Sequence, residues 1–521
     1  MNEPARDPRF APARRGAPAR KVLRSVAVIL GVLMFAVMTW GLPALYHQRY
    51  DPTNRPATAA AAEPPAEPAP TPEPADPAWH PVPSADQDRI YQDQTQTAAE
   101  HPGIAVDGRD GYVFFGDIIE QNFAQAMGRR YLGRAEVAAT VDTLAAERSW
   151  LDERGIPNVF VVVPATWSVY QDKMPAWTDG QVLPRIADQL LTADPEAFLD
   201  LRQALTEARS FADTYPRLNS HWTPFGATVG LRTVLERLAA EYPALGDLQL
   251  PEVTGTRTVD ASNEFEPLIG PRGPNDWVLP EFARPLPEFE LTGADGASAS
   301  VPGDTVIDPI QFPARTANPQ AGNAHRALIL GDSATGVMSP YLAASFGDTW
   351  LVRHHWNEPE QRPNVPALIE AYQPDVVITL VTERYLTVPT GDQALYEGAA
   401  AFHAPGARPI GGWNAQGEDA DGGAIAVESR DLNAPVTARL PELPGAPAAA
   451  RIELVTDDYG VLIATVPTAA GPVATRLHLA AGRNIVFLPL PADPSGPDVV
   501  LQRFGGQGGA TLEDIQVRTQ A

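Results

Sequence analysis

Three short, uninterrupted apolar runs most constrain the fold of this chain. Residues 158–164 (NVFVVVP), 327–330 (ALIL) and 375–381 (DVVITLV) are mostly apolar and β-branched and do not alternate with polar residues. Runs of this kind are typical of strands buried on both faces of a parallel sheet. Apolar residues at helical spacing occur between them, over 137–151 and 231–238. Strands alternating with helices predict a doubly wound α/β sheet.

We place this α/β domain at residues 87–403. A proline- and glycine-rich insertion at about 251–323 interrupts its pattern, and its irregular strands could cover a site. After residue 404, six short strand candidates are separated by turn residues and show no helical period. That spacing predicts a small antiparallel β-sandwich at 404–521.

The N-terminal part of the chain predicts a membrane anchor. Residues 1–24 carry seven basic and two acidic side chains, and residues 25–46 carry no charge. A helix of that length covers roughly 30 Å, the thickness of the bilayer core. The basic tail is then cytoplasmic, the span lies in the inner membrane, and the remainder is periplasmic. A cleaved signal peptide is the alternative. Residues 47–86, rich in Pro, Ala and Glu, predict a disordered tether.

Composition excludes several classes of function. The chain has 39 basic and 64 acidic residues, a net charge of -25, and no cysteine. Such a surface is poorly suited to nucleic acid, and disulfides and cysteine metal sites are impossible. We expect no cofactor and no metal site.

A serine and a histidine are candidates for nucleophilic catalysis. Ser333 follows the run 327–330 through Gly331 and Asp332, and ligands bind where parallel strands end. A serine nucleophile needs a base, and His221 lies in a loop just before a predicted helix. The alternatives are a helix N-cap for the serine turn and a structural role for the histidine.

Five segments, taken in order, resemble the AlgJ/AlgX family of SGNH hydrolase-like proteins. They are 108–117 (GRDGYVFFGD), 161–170 (VVVPATWSVY), 219–222 (NSHW), 331–342 (GDSATGVMSPYL) and 382–386 (TERYL). The histidine block precedes the serine block, which is a permutation of the order in ordinary SGNH esterases. The resemblance covers about residues 105–390.

This resemblance implies O-acetylation of an exopolysaccharide such as alginate. Ser333 would carry the acetyl group, His221 would act as base and then acid, and Asn219 would orient the imidazole. A membrane-embedded acyltransferase would supply the acetyl group, and the polysaccharide would be the acceptor. The C-terminal sandwich would resemble the carbohydrate-binding module of AlgX.

Two departures from the family pattern bear on turnover. Asn219 stands where the family has aspartate, and Thr166 stands where it has lysine. An asparagine can orient an imidazole but cannot offset the charge of an imidazolium. Either another carboxylate such as Asp213 supplies that charge, or the enzyme is slow, or the site binds without turnover. The alternatives are therefore a polysaccharide-binding scaffold protein and a periplasmic acetyl esterase.

Side chains near the two blocks are candidates for binding the acceptor. Trp222 and Tyr170 offer aromatic faces to a sugar, and Arg353 could hold an anionic group. The net charge of -25 favours a neutral or weakly anionic polysaccharide, although salt screens that repulsion within about 10 Å. A packing role for Trp222 beneath His221 is the alternative.

Overall fold

Helices and strands alternate through the first part of the chain. The computed structural model describes residues 79–390, 392–416, 423–443, 447–491 and 494–520. Within these ranges the helices are α1 (Ala85–Gln92), α2 (Asn122–Ala126), α3 (Arg134–Glu153), α4 (Thr166–Val169), α5 (Ile186–Ala193), α6 (Arg202–Ala208), α7 (Pro224–Glu241), α8 (Glu266–Ile269), α9 (Ser333–Ser345), α10 (Val365–Tyr372) and α11 (Gln393–His403).

The strands of the α/β domain form one large sheet and two hairpins. They are β1 (Ala105–Asp107), β2 (Val113–Phe115), β3 (Asn158–Val163), β4 (Leu199–Asp200), β5 (Val253–Asp260), β6 (Asp276–Phe282), β7 (Phe289–Thr292), β8 (Ser298–Val301), β9 (Ala314–Ala317), β10 (Arg326–Gly331), β11 (Asp348–Arg353) and β12 (Val376–Thr382). The large sheet has the order β4-β3-β12-β10-β11-β9-β7-β8. The pairs β1–β2 and β5–β6 are separate two-stranded ribbons.

The sheet is mixed rather than wholly parallel, which corrects the predicted fold. The five strands β4, β3, β12, β10 and β11 are parallel, and β9, β7 and β8 continue the sheet in antiparallel pairs. All three antiparallel strands come from the segment predicted as an insertion. A connection as short as that between β7 and β8 permits only an antiparallel pair, because a parallel crossover needs a dozen or more residues.

Both faces of the parallel strands are covered by helices. Val161 and Val163 of β3 belong to the apolar core that contains residues of α7 and α9, whereas Val162 points to the opposite core with residues of α3 and α5. Successive side chains of a strand alternate between faces, so an unbroken apolar run fits a strand buried on both sides. The doubly wound arrangement is therefore present in the parallel part of the sheet.

The C-terminal region is rich in strands. They are β13 (Arg408–Asn414), β14 (Gly423–Ala424), β15 (Ala426–Val427), β16 (Val436–Arg439), β17 (Ala448–Thr456), β18 (Gly460–Thr468), β19 (Gly471–Leu479), β20 (Gly482–Leu490), β21 (Asp498–Phe504) and β22 (Ala510–Thr519). They form two five-stranded sheets, β14-β13-β22-β17-β20 and β15-β16-β21-β18-β19. Apolar side chains of both sheets share one core. The pairing is antiparallel except between β13 and β14, which are parallel.

The same core joins the strand-rich region to the α/β domain. Phe487 of β20 lies 6.3 Å, between ring centroids, from Trp150 of α3 and 5.4 Å from Phe402 of α11. Aromatic rings at these separations pack favourably beyond the area they bury. The strand-rich region is thus packed against the back of the α/β domain, on helices α3 and α11.

The last residues of the segment predicted as a tether, 79–86, are described by the structure. Trp79 donates a hydrogen bond from Nε1 to the Leu132 carbonyl at 2.9 Å, and His80 stacks on Tyr131 with ring centroids 4.2 Å apart. Ser84 caps helix α1 by accepting a bond from the Gln87 backbone N–H. Trp79 and His80 are therefore packed onto the α/β domain, whereas residues 81–86 are mostly exposed.

The predicted tail, the membrane span at 25–46 and the tether up to residue 78 lie outside the described residues. Among the residues that the structure does describe, no helix has both the length and the apolar composition needed to cross a membrane.

Candidate active site

Ser333 lies where the central strand β10 ends and helix α9 begins. Asp332 is the N-cap of α9, and its carboxylate accepts the Ala334 backbone N–H at 2.9 Å. A Cβ atom on Gly331 would lie 2.1 Å from Thr335 Oγ1, so the turn needs glycine there. Ser333 is half-buried, and its Oγ has no hydrogen-bond partner within the described part of the chain. The hydroxyl is therefore not held by an internal hydrogen bond that would compete with a reaction or a ligand.

Asp332 ties the ends of three neighbouring strands together. It accepts bonds from the Thr382 backbone N–H at 2.7 Å and hydroxyl at 2.9 Å, and contacts His354 Nε2 at 3.3 Å. Burial alone would raise the pKa of Asp332, but the hydrogen bonds from His354, Thr382 and Ala334 lower the pKa to about 2. The ionised carboxylate holds the serine turn in place.

His221 lies in the loop between α6 and α7, with one ring nitrogen engaged and the other free. Nδ1 lies 2.8 Å from Asn219 Oδ1 and 3.1 Å from Glu264 Oε2, and both oxygens can only accept. The proton is therefore on Nδ1. Nε2 has no hydrogen-bond partner among the residues described, and in the neutral imidazole with its proton on Nδ1 it is the nitrogen that can take a proton.

Glu264 belongs to the loop between β5 and β6 and reaches the histidine loop. Its carboxylate accepts the Ser220 backbone N–H at 2.8 Å and the Ser220 hydroxyl at 3.0 Å, in addition to the contact with His221. Burial alone would raise the pKa of Glu264, but the hydrogen bond from His221, the charge that His221 carries when protonated, and the charge of Arg384 lower the pKa to about 2. Glu264 is thus an ionised partner of the imidazole.

Asp213, the carboxylate considered from the sequence, has a different partner. It accepts the Tyr170 hydroxyl at 3.0 Å, and its backbone carbonyl accepts the Thr223 hydroxyl. The carboxylate beside His221 is Glu264, which sequence reasoning missed. No local pattern marks Glu264, because its closeness to His221 depends on how the β5–β6 hairpin folds over the sheet.

Ser333, His221 and Asn219 line one cleft with a volume of about 930 Å³. The opposite wall comes from the segment 257–309, which was predicted as an insertion. That wall includes the aromatic side chains Trp277 and Phe282 and the arginines Arg257 and Arg284. The cleft has the size of ordinary small-molecule sites and combines apolar surface with a few polar groups.

Two predicted substrate contacts are wrong. Trp222 has no exposed surface, and its Nε1 donates to the Ala334 carbonyl at 3.0 Å. Its ring fits against Gly230 of α7, where a Cβ would come within 2.8 Å. Tyr170 is 1% exposed and donates its hydroxyl to Asp213. Burying a large aromatic ring stabilises the fold more than exposing it, so both rings support the site from within.

Arg353 and Thr166 also lie away from the cleft surface. Arg353 ends β11 in register with Gly331 and is half-buried, outside the set of described residues that line the cleft. Thr166 is buried, and its hydroxyl donates to the Ser220 carbonyl at 3.3 Å. The position where the resembling family has lysine therefore supports the histidine loop here.

One protein-family model matches part of the α/β domain. Residues 105–286 match the sequence model of the SGNH hydrolase-like domain of the acetyltransferase AlgX. Three of the five segments that carry the resemblance, 108–117, 161–170 and 219–222, lie within this match. A comparison with curated protein sequences finds no match.

Three solved structures show a partial likeness to this chain, each with a TM-score below 0.5. Pseudomonas aeruginosa AlgX is 13% identical, with 81% of this chain and 95% of that chain covered and a TM-score of 0.43. The O-acetyltransferase domain of Pseudomonas putida AlgJ is 17% identical, with 54% and 92% covered and a TM-score of 0.33. Bacillus cereus PatB1 is 15% identical, with 48% and 90% covered and a TM-score of 0.37.

Proposed function

We propose that this protein is an O-acetyltransferase that acetylates an exopolysaccharide through an acetyl-serine on Ser333. The observation that carries the proposal is the pair of unpartnered atoms, Ser333 Oγ and His221 Nε2, whose residues line one cleft of the described chain. The similarity of residues 105–286 to the AlgX acetyltransferase domain supports the reaction class.

The reaction needs only one proton carrier. Ser333 Oγ attacks the carbonyl carbon of an acetyl ester or thioester donor, and its proton passes to His221 Nε2. The donor's leaving group departs with that proton, and the acetyl group remains on Ser333. A sugar hydroxyl then gives its proton to Nε2 and attacks the acetyl-serine carbonyl. The bond from Ser333 to the acetyl group breaks, and Oγ takes the proton back.

The start of helix α9 would stabilise the oxyanion that forms in both steps. The Ser333 backbone N–H belongs to the first turn of this 13-residue helix, and the positive end of the helix dipole lies there. A backbone donor placed before the reaction begins needs no rearrangement as negative charge develops.

The acceptor is proposed to be a neutral or weakly anionic polysaccharide. The cleft wall carries two arginines, Arg257 and Arg284, and three carboxylates, Glu288, Asp304 and Asp308, so its charge is nearly balanced. The half-buried ring of Phe282 and the small exposed part of Trp277, which is 9% exposed, offer apolar surface to a sugar ring. These two rings replace Trp222 and Tyr170 as the proposed contacts.

The remaining parts of the proposal concern location. A span at residues 25–46 would anchor the protein in the inner membrane with its catalytic domain in the periplasm. Activated acetyl donors are made in the cytoplasm, so a membrane-embedded acyltransferase would deliver the acetyl group.

The strand-rich C-terminal region would bind carbohydrate.

Ser333→Ala tests the nucleophile. The full-length protein is incubated with an acetyl ester donor and a panel of neutral and uronate oligosaccharides, and acetylated sugar and free acetate are both measured. We expect transfer to fall to background, because alanine has no nucleophile. Ser345→Ala is the matched control, since Ser345 ends the same helix and its Oγ likewise has no partner within the described residues.

The products separate the alternatives. Free acetate without acetylated sugar would identify an esterase. Sugar binding with neither product would identify a binding protein. Transfer that survives Ser333→Ala would contradict the assignment of the nucleophile.

A further inference from the structure

We propose that Glu264 is the positioning carboxylate of this site, replacing the aspartate that the resembling family carries at position 219. The inference rests on the proposed function and concerns the same histidine. Glu264 lies in the segment 251–323, which the sequence pattern predicted as an insertion. That segment therefore supplies one member of the catalytic arrangement.

The contact geometry divides two tasks between two residues. Asn219 Oδ1 accepts both the His221 backbone N–H at 2.9 Å and Nδ1–H at 2.8 Å, which fixes the ring and the tautomer. Glu264 Oε2 lies 3.1 Å from the same Nδ1 and carries a negative charge. When Nε2 takes the serine proton, the imidazolium that forms is stabilised by that charge, which an amide cannot supply.

The charges around Glu264 keep it ionised. Arg384 donates to the Ser220 hydroxyl at 3.1 Å, and that hydroxyl donates to Glu264. Arg384 is itself paired with Glu120 at 3.6 Å. The side chains of Glu264 and His221 are only 24% and 22% exposed, so their attraction is weakly screened by solvent.

The hairpin loop is bonded to the histidine loop at several points. Asn275 accepts the Leu218 backbone N–H at 3.0 Å and donates to the Ala261 carbonyl at 2.7 Å. The Glu264 backbone N–H donates to the Leu218 carbonyl at 3.1 Å, and Asn219 Nδ2 donates to the Ser262 carbonyl. A carboxylate held by such a network has the fixed position that a catalytic arrangement requires.

Glu264→Gln tests the proposal, with Glu266→Gln as the matched control. Glu266 is an exposed glutamate two residues further along the chain, at the start of helix α8. Since Asn219 still fixes the tautomer, we expect Glu264→Gln to lower kcat by about 10- to 100-fold and leave KM nearly unchanged. The acidic limb of the kcat/KM profile should also move to lower pH, because the imidazolium loses its negative partner. Glu266→Gln should change neither quantity.

A second substitution distinguishes charge from structure. Adding Asn219→Asp to the Glu264→Gln protein places a carboxylate beside His221 Nδ1 again, now from position 219. We expect this double variant to recover most of the lost kcat and the position of the acidic limb, which a merely structural role would not restore. A folded Glu264→Gln protein with the kcat and the acidic limb of the wild type would overturn the proposal.

Modification of Ser333 by a small sulfonyl fluoride provides a readout that is independent of acetyl transfer. A bond forms between Oγ and sulfur, fluoride leaves, and the serine proton passes to His221. Intact mass spectrometry then gives the rate at each pH. If the sulfonyl fluoride modifies Ser333 of the wild-type protein but this protein transfers no acetyl group, the proposed function fails. The modification rates of the wild-type and Glu264→Gln proteins can still be compared, and that comparison still tests Glu264. Equal rates and equal pH profiles in the two proteins would reject the role of Glu264 alone.

Discussion

The pairs His221–Glu264 and His354–Asp332 are both histidine–carboxylate contacts, but they differ in how the second nitrogen of the imidazole is bonded. His221 contacts Glu264 at 3.1 Å, and His354 contacts Asp332 at 3.3 Å. His354 Nδ1 accepts the Trp356 backbone N–H at 2.8 Å, so its only proton, on Nε2, faces Asp332. Both nitrogens of His354 are thus engaged, whereas His221 keeps Nε2 unpartnered within the described chain.

The two pairs also differ in burial, because the His354–Asp332 pair is less exposed than the His221–Glu264 pair. The side chains of His354 and Asp332 are 6% and 2% exposed, and Asp332 receives three further bonds from Ala334 and Thr382. His221 lines the cleft together with Ser333. A histidine with both nitrogens bonded stabilises structure, while one with a free nitrogen at a cleft can move protons. Contact with a carboxylate alone does not distinguish them.

His221→Ala should give the largest effect on activity. Removing the only proton carrier proposed for Ser333 should lower kcat by about 10³-fold or more, with little change in the melting temperature. Steady-state transfer assays and thermal unfolding measure the two quantities. A loss of stability with little change in kcat would mean that His221, like His354, is structural.

Asp332→Asn should act mainly on stability. An asparagine amide would place donor hydrogens or a weaker acceptor against Thr382 and His354, leaving buried groups unpaired. We expect the free energy of unfolding to fall by about 1–3 kcal/mol, measured by denaturant titration at neutral pH. Asp304→Asn, at an exposed position of the cleft wall, is the control and should change stability by less than about 0.5 kcal/mol.

The same carboxylate predicts how stability depends on pH. The pKa of Asp332 is lowered from 3.8 to about 2 in the folded protein, so its contribution is complete above pH 4 and is lost as the pH falls towards 2. The shift corresponds to roughly 2 kcal/mol. Acid unfolding of Asp332→Asn should accordingly be less steep over this range. An equal dependence of stability on pH in both proteins would mean that this network does not lower the pKa of Asp332.

The two walls of the cleft differ in how far the sequence predicts them. Ser333 follows an apolar run that is typical of a buried strand, and His221 lies just before a helix whose apolar spacing is clear. Glu264 lies in an irregular segment with no such period, and its role depends on hairpin packing. Trp222 was assigned to the substrate because an aromatic residue beside a catalytic block has the same sequence pattern whether it is buried or exposed.

Asn219→Asp in the otherwise unchanged protein should give the smallest effect and is the sharpest test of the division between Asn219 and Glu264. If Glu264 already supplies the charge, a second carboxylate at Nδ1 adds little attraction and is repelled by the first. The new aspartate also loses the bond that Asn219 Nδ2 donates to Ser262. We therefore expect kcat to change by no more than about threefold, or ~0.6 kcal/mol in barrier height. A large gain in kcat would show that Glu264 is not an effective carboxylate partner of His221. The His221–Glu264 contact would then differ from the His354–Asp332 contact in function, although the two are similar in geometry.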